Sequence, residues 1–258
     1  MLHRSSRATR AVGALGALAC ALAPLASAHA QAGTPTRVEF EAGIAWQDRN
    51  DVQIPNDATG TRFALDRVTG SGPFFAPRVQ FSTGLAPRHE LRLVAAPLGI
   101  KESGSLDQAV NFNGQRFAAG AVQARYRFDS YRATWRYTFA EDRDWTWKAG
   151  LTGKIRSAEI TLTQGGITTT RDDTGFVPLL HLYGERRLDQ RSRLTFEGDG
   201  LAGGRGRAFD LTLRYVRDLG PRTSGFAGVR LLDGGADSSG TYNFARFHYV
   251  TFGLQYRL

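Results

Sequence analysis

Stretches in which apolar and polar residues alternate make up most of this chain, and the connections between them are by turns very short and longer. The first stretch sets Val38, Phe40, Ala42, Ile44 and Trp46 against Glu39, Glu41, Gly43, Ala45 and Gln47, a period of two. Successive side chains of a strand point to opposite faces, so such a segment needs a different environment on each side. The pattern returns at Val79 and Phe81 against Arg78, Gln80 and Ser82, and at Leu91, Leu93 and Ala95 against Glu90 and Arg92. Tyr131, Ala133, Trp135, Tyr137 and Phe139 alternate with Ser130, Arg132, Thr134 and Arg136; Trp147, Ala149, Leu151 and Ile155 oppose Lys148, Thr152, Lys154 and Arg156. Later stretches repeat it around Glu197, Asp199, Asp210, Arg214 and Arg230. The short connections are 86–88, 140–144, 188–191 and 219–222; the longer ones are 53–71, 103–116, 162–174, 201–207 and 233–244.

Residues 1–32 have a basic start (Arg4, Arg7, Arg10), an apolar stretch from Ala11 to Ala26 and a small-residue end, the form of a secretory signal peptide cleaved after Ala30 or Ala32. Cys20 sits inside the apolar stretch, a poor match to a lipobox, so its loss leaves a chain without thiols and with neither a disulfide framework nor a thiolate metal site. Removing the segment takes three arginines and no acid from a formal charge of +9, leaving +6. The arginines are scattered singly through alternating strands, which argues against nucleic acid and for an anionic outer surface of lipids and lipopolysaccharide as the partner. No later segment approaches the roughly twenty apolar residues of a spanning helix.

Alternating strands, export, and connections long at one end and short at the other predict an all-β fold: one antiparallel up-and-down transmembrane barrel of about ten strands (range 8–12) over residues 33–258, in the outer membrane of a Gram-negative cell. A soluble two-sheet sandwich is the competing reading. Aromatic residues favour the barrel, with Trp135, Tyr137, Phe139, Trp145, Trp147, Tyr215 and Tyr256 near the short turns and Trp46, Phe74, Phe75, Phe176, Phe209, Tyr242 and Phe244 near the long connections. Pro97 and Pro178 fall inside strands, where bulges are expected. Tyr126 and Phe128 are out of phase with Tyr131 to Phe139, which predicts a further bulge near Asp129-Ser130.

Val250, Phe252, Leu254, Tyr256 and Leu258 alternate to the last residue, and this stretch resembles the C-terminal recognition strand of Gram-negative outer-membrane barrel proteins, with Leu in place of the usual final Phe. The resemblance implies the barrel fold and an encounter with the outer-membrane assembly machinery. Ser130 to Phe139 and Phe176 to Leu182 are also similar to an uncharacterised group of small barrels, which brings no assigned activity.

The inward set contains Glu39, Glu41, Glu90, Glu185, Glu197, Asp199 and Asp210 beside Arg78, Arg92, Arg132, Arg136, Lys148, Lys154, Arg156, Arg214 and Arg230. A ten-stranded barrel is little wider than the eight-stranded kind whose interior side chains fill. Near-balance of sign predicts a charge-plugged lumen, with a structural, envelope or surface-interaction role and at most a narrow solute path. The first alternative is a small anion-preferring channel past Arg132, Arg136, Lys148, Lys154 and Arg156. The second is a hydrolase, omptin-like or acting on lipid A, with His181, Glu197, Asp199 and Asp210 near the outer rim. The similarity to omptin proteases extends to strand number and acid-plus-His content, without a shared motif. The expectation is a protein that is not an enzyme and has neither cofactor nor metal; Asp233 to Asp237 lacks calcium-loop spacing and reads as a flexible loop.

Overall fold

The computed structural model describes residues 35–258; the export segment and Cys20 lie outside the described residues. In chain order the elements are β1 (Arg37–Gln53), β2 (Phe63–Ala64), α1 (Leu65–Thr69), β3 (Phe74–Phe75), β4 (Arg78–Ala86), β5 (His89–Ala96), β6 (Gly99–Leu106), β7 (Val110–Phe112), β8 (Gln115–Phe117), β9 (Gly120–Glu141), β10 (Trp145–Gln164), β11 (Ile167–Arg187), β12 (Ser192–Gly203), β13 (Gly206–Asp218), β14 (Thr223–Ser238) and β15 (Thr241–Arg257). Each strand of the ring is antiparallel to its neighbours, and β15 closes it against β1 from Arg37↔Arg257 to Gln53↔Tyr242. Two members are interrupted: β3 and β4 both follow β1, while β5 and β6 both pair with the continuous β9. Counting each interrupted strand once gives ten strands.

The short turns stand as the sequence predicts. Asp142 accepts hydrogen bonds from the backbone N–H groups of Trp145 (2.8 Å) and Asp144 (2.9 Å), and Asp189 accepts from those of Arg191 (2.7 Å) and Ser192 (2.8 Å). These backbone donors hold both exposed carboxyls below the usual range. Such Asx turns fix the hairpin ends.

Three of the longer connections are not loops. β10 and β11 pair without a break from Trp145↔Arg186 to Gln164↔Ile167 and turn at Gly165-Gly166, whose φ values of +59° and +84° suit a two-residue hairpin. β12 pairs with β13 as far as Gly203↔Gly206, and β14 with β15 as far as Ser238↔Thr241. The expected bulge at Asp129-Ser130 is absent too, since β9 and β10 keep one register from Lys148↔Thr138 to Thr163↔Gln123. What changes there is the chemistry of the faces. Below Ser130 the inward residues of β9 are Ser130, Arg132, Thr134 and Arg136, while Tyr131, Trp135 and Phe139 point outward. Above it Val122, Ala124 and Tyr126 are buried inside, and Gln123, Arg125, Arg127 and Asp129 face out. β10 inverts likewise, from outward Leu151 and Ile155 to outward Ser157, Glu159, Thr161 and Thr163. From Tyr131 to Phe139 is about nine residues, the length a tilted strand needs to cross a bilayer. The strands therefore leave the membrane without ending and continue as a sleeve with its apolar side inward.

A buried cluster fills that sleeve, including Val52, Ile54, Leu65, Val68, Ile100, Phe112, Phe117, Tyr126, Leu162 and Phe247. The β7–β8 hairpin caps it: Asn113 N–H bonds the Ile54 carbonyl (2.7 Å), Thr61 N–H bonds the Asn111 carbonyl (2.9 Å), and Phe63 meets Phe112 edge to face. Phe244 lies on the outward face of β15 but is covered there by Arg49 and Arg207 over its ring; Trp46, Phe75, Tyr131 and Phe176 are the exposed aromatics at the outer boundary.

The wall of the sleeve is divided in two places. Between the upper parts of β1 and β6 no strand pairs with both, and α1 fills the space, with Leu65 and Val68 buried and Gln47 Nε2 donating to Thr69 Oγ1 at 2.8 Å. A Cβ on Gly104 of β6 would lie 2.2 Å from the Val68 carbonyl oxygen, so the close seat of α1 requires glycine there. The second division lies between β11 and β12, which pair only from Leu180↔Gly200 downward. Pro178 occupies the part of β11 that has a neighbour on the β10 side alone, as in an edge strand, and needs no bulge. Pro97 lies in the break between β5 and β6.

Single cysteines placed on β10 test the inversion directly. A membrane-impermeant maleimide applied to intact cells should label Thr161→Cys and leave Leu151→Cys unlabelled; labelling of both, or of Leu151→Cys alone, contradicts an extracellular sleeve.

Candidate functional site: the ion-paired lumen

Within the membrane the inward positions carry charges that meet across the barrel. Lys148 Nζ and Arg136 Nη2 each lie 2.6 Å from Glu90, and Arg136 reaches on to Glu197 at 3.4 Å. Glu197 also pairs with Arg92 and with Arg78 at 3.4 Å. Arg132 joins Asp199, at 2.9 Å, to Asp210, and Arg230 holds Asp210 through two contacts of 2.7 Å. This chain of charges crosses from β5, β9 and β10 to β12, β13 and β14. A second set joins Arg214 to Glu39 (2.7 Å) and Glu41, and passes through Gln255, which donates to Glu39 at 2.8 Å, to Arg193 and Glu185. Alternation places the carriers: an inward residue recurs every second position, and antiparallel neighbours bring the inward rows to one height.

Burial of these groups is deep. Arg92 is fully buried, Arg78, Glu90 and Asp199 are 2% exposed, and Asp210 is 5% exposed. A charge held away from water requires a partner, and removal of one member of such a pair costs about 3–5 kcal/mol. The carboxylates here have at least two donors each where they sit deepest. Asp199 takes Arg132, Thr152 Oγ1 (2.7 Å) and His181 Nδ1 (2.8 Å). The space left among Glu39, Arg136, Glu197 and Arg214 is small, about 30 Å³.

Most of the inward residues read from the sequence come together here: Glu39, Glu41, Arg78, Glu90, Arg92, Arg132, Arg136, Lys148, Glu185, Glu197, Asp199, Asp210, Arg214 and Arg230. Two do not. Arg156 pairs with Asp173 on β11, and Lys154 has neither hydrogen bond nor ion pair among the described residues. Both lie above the plug, where the interior turns apolar. His181, Glu197, Asp199 and Asp210 are brought together, but deep inside under the sleeve core and not at the outer rim, because the strands that carry them extend beyond the expected loop boundaries. Gln80, Thr134, Thr152, Tyr183, Arg193 and Gln255 also belong to the network beyond the residues read from the sequence; their inward parity is the signal that marks them. Val250, Phe252, Leu254 and Tyr256 face outward on β15, each on the lipid side of the closing strand. Among the described residues no cluster of His, Cys, Asp or Glu has the arrangement of a metal site.

No family model matches the chain, and no curated protein sequence does. Solved structures do. The outer-membrane protease OmpT of Escherichia coli superposes with a TM-score of 0.54 at 8% identity, over 87% of this chain and 97% of that one. The attachment invasion locus protein Ail of Yersinia pestis aligns at 0.38 and 9% identity (87% and 100%), and the Neisserial surface protein NspA at 0.35 and 11% (87% and 98%). At such identities the likeness concerns the fold. Together with the apolar belt and the polar, ion-paired interior, the superposition on OmpT defines the class of fold: a transmembrane β-barrel of the outer-membrane kind.

Glu197→Gln removes the charge that Arg78, Arg92 and Arg136 share. The folded barrel should lose about 3–5 kcal/mol of stability, read as a lower temperature for the heat-induced gel shift in detergent; an unchanged transition would show that these contacts carry no weight.

Proposed function

We propose that the protein is a sealed barrel: a non-conducting membrane anchor that holds a rigid β-sleeve at the cell surface, in a structural or surface-interaction role. The observation that carries this reading is the ion-pair network that spans the lumen and leaves only about 30 Å³ of open space beside it. A permeating ion would have to displace guanidinium–carboxylate contacts that are already satisfied, while the sleeve core and the β7–β8 cap close the path above. The anion-channel reading needs a free cationic wall, and Arg132, Arg136 and Lys148 are all engaged by carboxylates. Outer-membrane lipids, lipopolysaccharide and the assembly machinery are the partners, the last through the outward stripe of Val250, Phe252, Leu254, Tyr256 and Leu258.

In planar bilayers the purified protein should give no steps above baseline. Small anion-favouring steps that shrink in Arg132→Gln would replace the sealed reading with the channel.

The fold is shared with a protein named as a protease, yet the acids and histidine here support no catalytic role. Asp210 spends its oxygens on Arg132 and Arg230, and Asp199 is divided among Arg132, Thr152 and His181, while the one unpaired nitrogen of this group, His181 Nε2, is buried deep in the plug, out of reach of an external substrate. The protein is proposed not to be an enzyme. Purified wild type should leave both a peptide substrate and lipid A intact; hydrolysis that disappears in folded Asp199→Asn or Asp210→Asn would overturn this.

A further inference from the structure

The two divisions of the sleeve wall are treated differently. α1 fills the one between β1 and β6, whereas the one between β11 and the β12–β13 turn opens into a cavity of about 570 Å³. That volume lies within the range of small-ligand pockets. Its walls are Tyr126, Phe128, Leu232, Ala245 and Phe247 from inside the sleeve, and Phe176, Pro178 and Leu201 flank the slit. Phe176 is 70% exposed on the outward face, and the next outward position above it is Thr174, so the slit starts where the apolar belt ends, at the outer membrane interface. The ion-paired plug lies beneath it, and the wall is open at the slit between β11 and the β12–β13 turn. Entry is sideways.

The polar groups of this cavity are unbalanced. Lys154, Arg156, Arg205 and Arg207 line it with Asp233 as the one lining acid. Arg207 is held by Asp233 at 3.0 Å and Arg156 by Asp173, so two cations remain without a carboxylate among the described residues: Arg205 on the rim and Lys154 inside. Lys154 is 3% exposed, lies directly opposite Arg132 in the β9–β10 ladder, and has only the ring of Phe128 at 5.0 Å against its ammonium. Among the described residues every other buried cation on this interior has an acid. A buried ammonium beside a guanidinium and facing an apolar chamber is an unfavourable arrangement that an anion in the chamber would relieve.

We propose that this cavity binds a single-chain anionic lipid from the outer leaflet, with its phosphate or carboxylate head on Lys154 and its acyl chain leaving through the slit past Phe176, Pro178 and Leu201. The apolar chamber alone would accept any chain; Lys154 makes the head anionic. The slit sits at the height of lipid headgroups, which makes the membrane and not free phosphate the source.

Native mass spectrometry of the full barrel in a neutral detergent tests this with 1-oleoyl lysophosphatidic acid, 1-oleoyl lysophosphatidylcholine and glycerol 3-phosphate. Wild type should take up one lysophosphatidic acid with an apparent Kd at least about tenfold below that for lysophosphatidylcholine, the worth of one charge-assisted contact, and glycerol 3-phosphate should not compete. Lys154→Met should erase the difference between the two lipids. Ala208→Phe, which fills the chamber from β13 and leaves Lys154 in place, should weaken both, and so decides the matter even where Lys154→Met fails to fold. Equal binding of the two lipids by wild type, undiminished binding by either folded variant, or binding of glycerol 3-phosphate as tight as that of the lipid would each overturn the proposal.

Discussion

Pairing of carboxylate with guanidinium across the lumen is the interaction on which the rest of this barrel depends. A membrane-spanning sheet has no choice about its outer face, which must be apolar, and alternation then sends every second residue inward. In a ring of ten strands those inward side chains are too close together for bulk water and too polar for an oily core. Arg132 between Asp199 and Asp210, and Glu197 among Arg78, Arg92 and Arg136, resolve the conflict by making each charge the solvent of the next. His181, Thr152 and Thr134 add hydrogen bonds in the same layer.

The same backbone ladder serves two opposite solvents along its length. β9 and β10 pass from membrane to water without a break in register, and only the assignment of apolar residues to inward or outward positions changes, at Ser130 and at Arg156. Below that level the core is polar and the surface oily; above it the strands behave as a soluble sheet wrapped on an apolar core, with α1 and the β7–β8 hairpin supplying the missing wall and roof. The seam between the two regimes is where Lys154 sits. There, among the described residues, cations of the polar half reach into the apolar half beside an open wall.

Period-two alternation made the ring legible in the sequence, because each spanning strand must advertise both faces over about nine residues. The lumen charges were legible for the same reason, and Glu90, Arg136, Glu197 and Asp210 stand where alternation puts them. What stayed hidden was everything that follows the exchange of faces. Tyr126 and Phe128 suggest a slip of register when outward apolar residues are taken as the mark of a strand, whereas they remain in phase and merely face a new core. The segments 162–174, 201–207 and 233–244 read as loops on the same ground, since a strand with polar residues outside and small or apolar ones inside resembles a connection once the membrane is assumed throughout. Misplacing those ends also set Glu197, Asp199 and Asp210 at a mouth that lies well above them. Pro178 resisted explanation because nothing local in the sequence announces that β11 and β12 part company at Leu180 and Gly200.

A double-mutant cycle on Arg132 and Asp210 probes the cross-lumen pairing most directly. Reversible unfolding of Arg132→Met, Asp210→Leu and the double variant in detergent should give a coupling energy of at least about 2 kcal/mol, with the double variant more stable than the sum of the single losses allows. Losses that add to within about 0.5 kcal/mol would mean that the two charges do not depend on each other, and that the lumen is filled by groups which merely lie side by side.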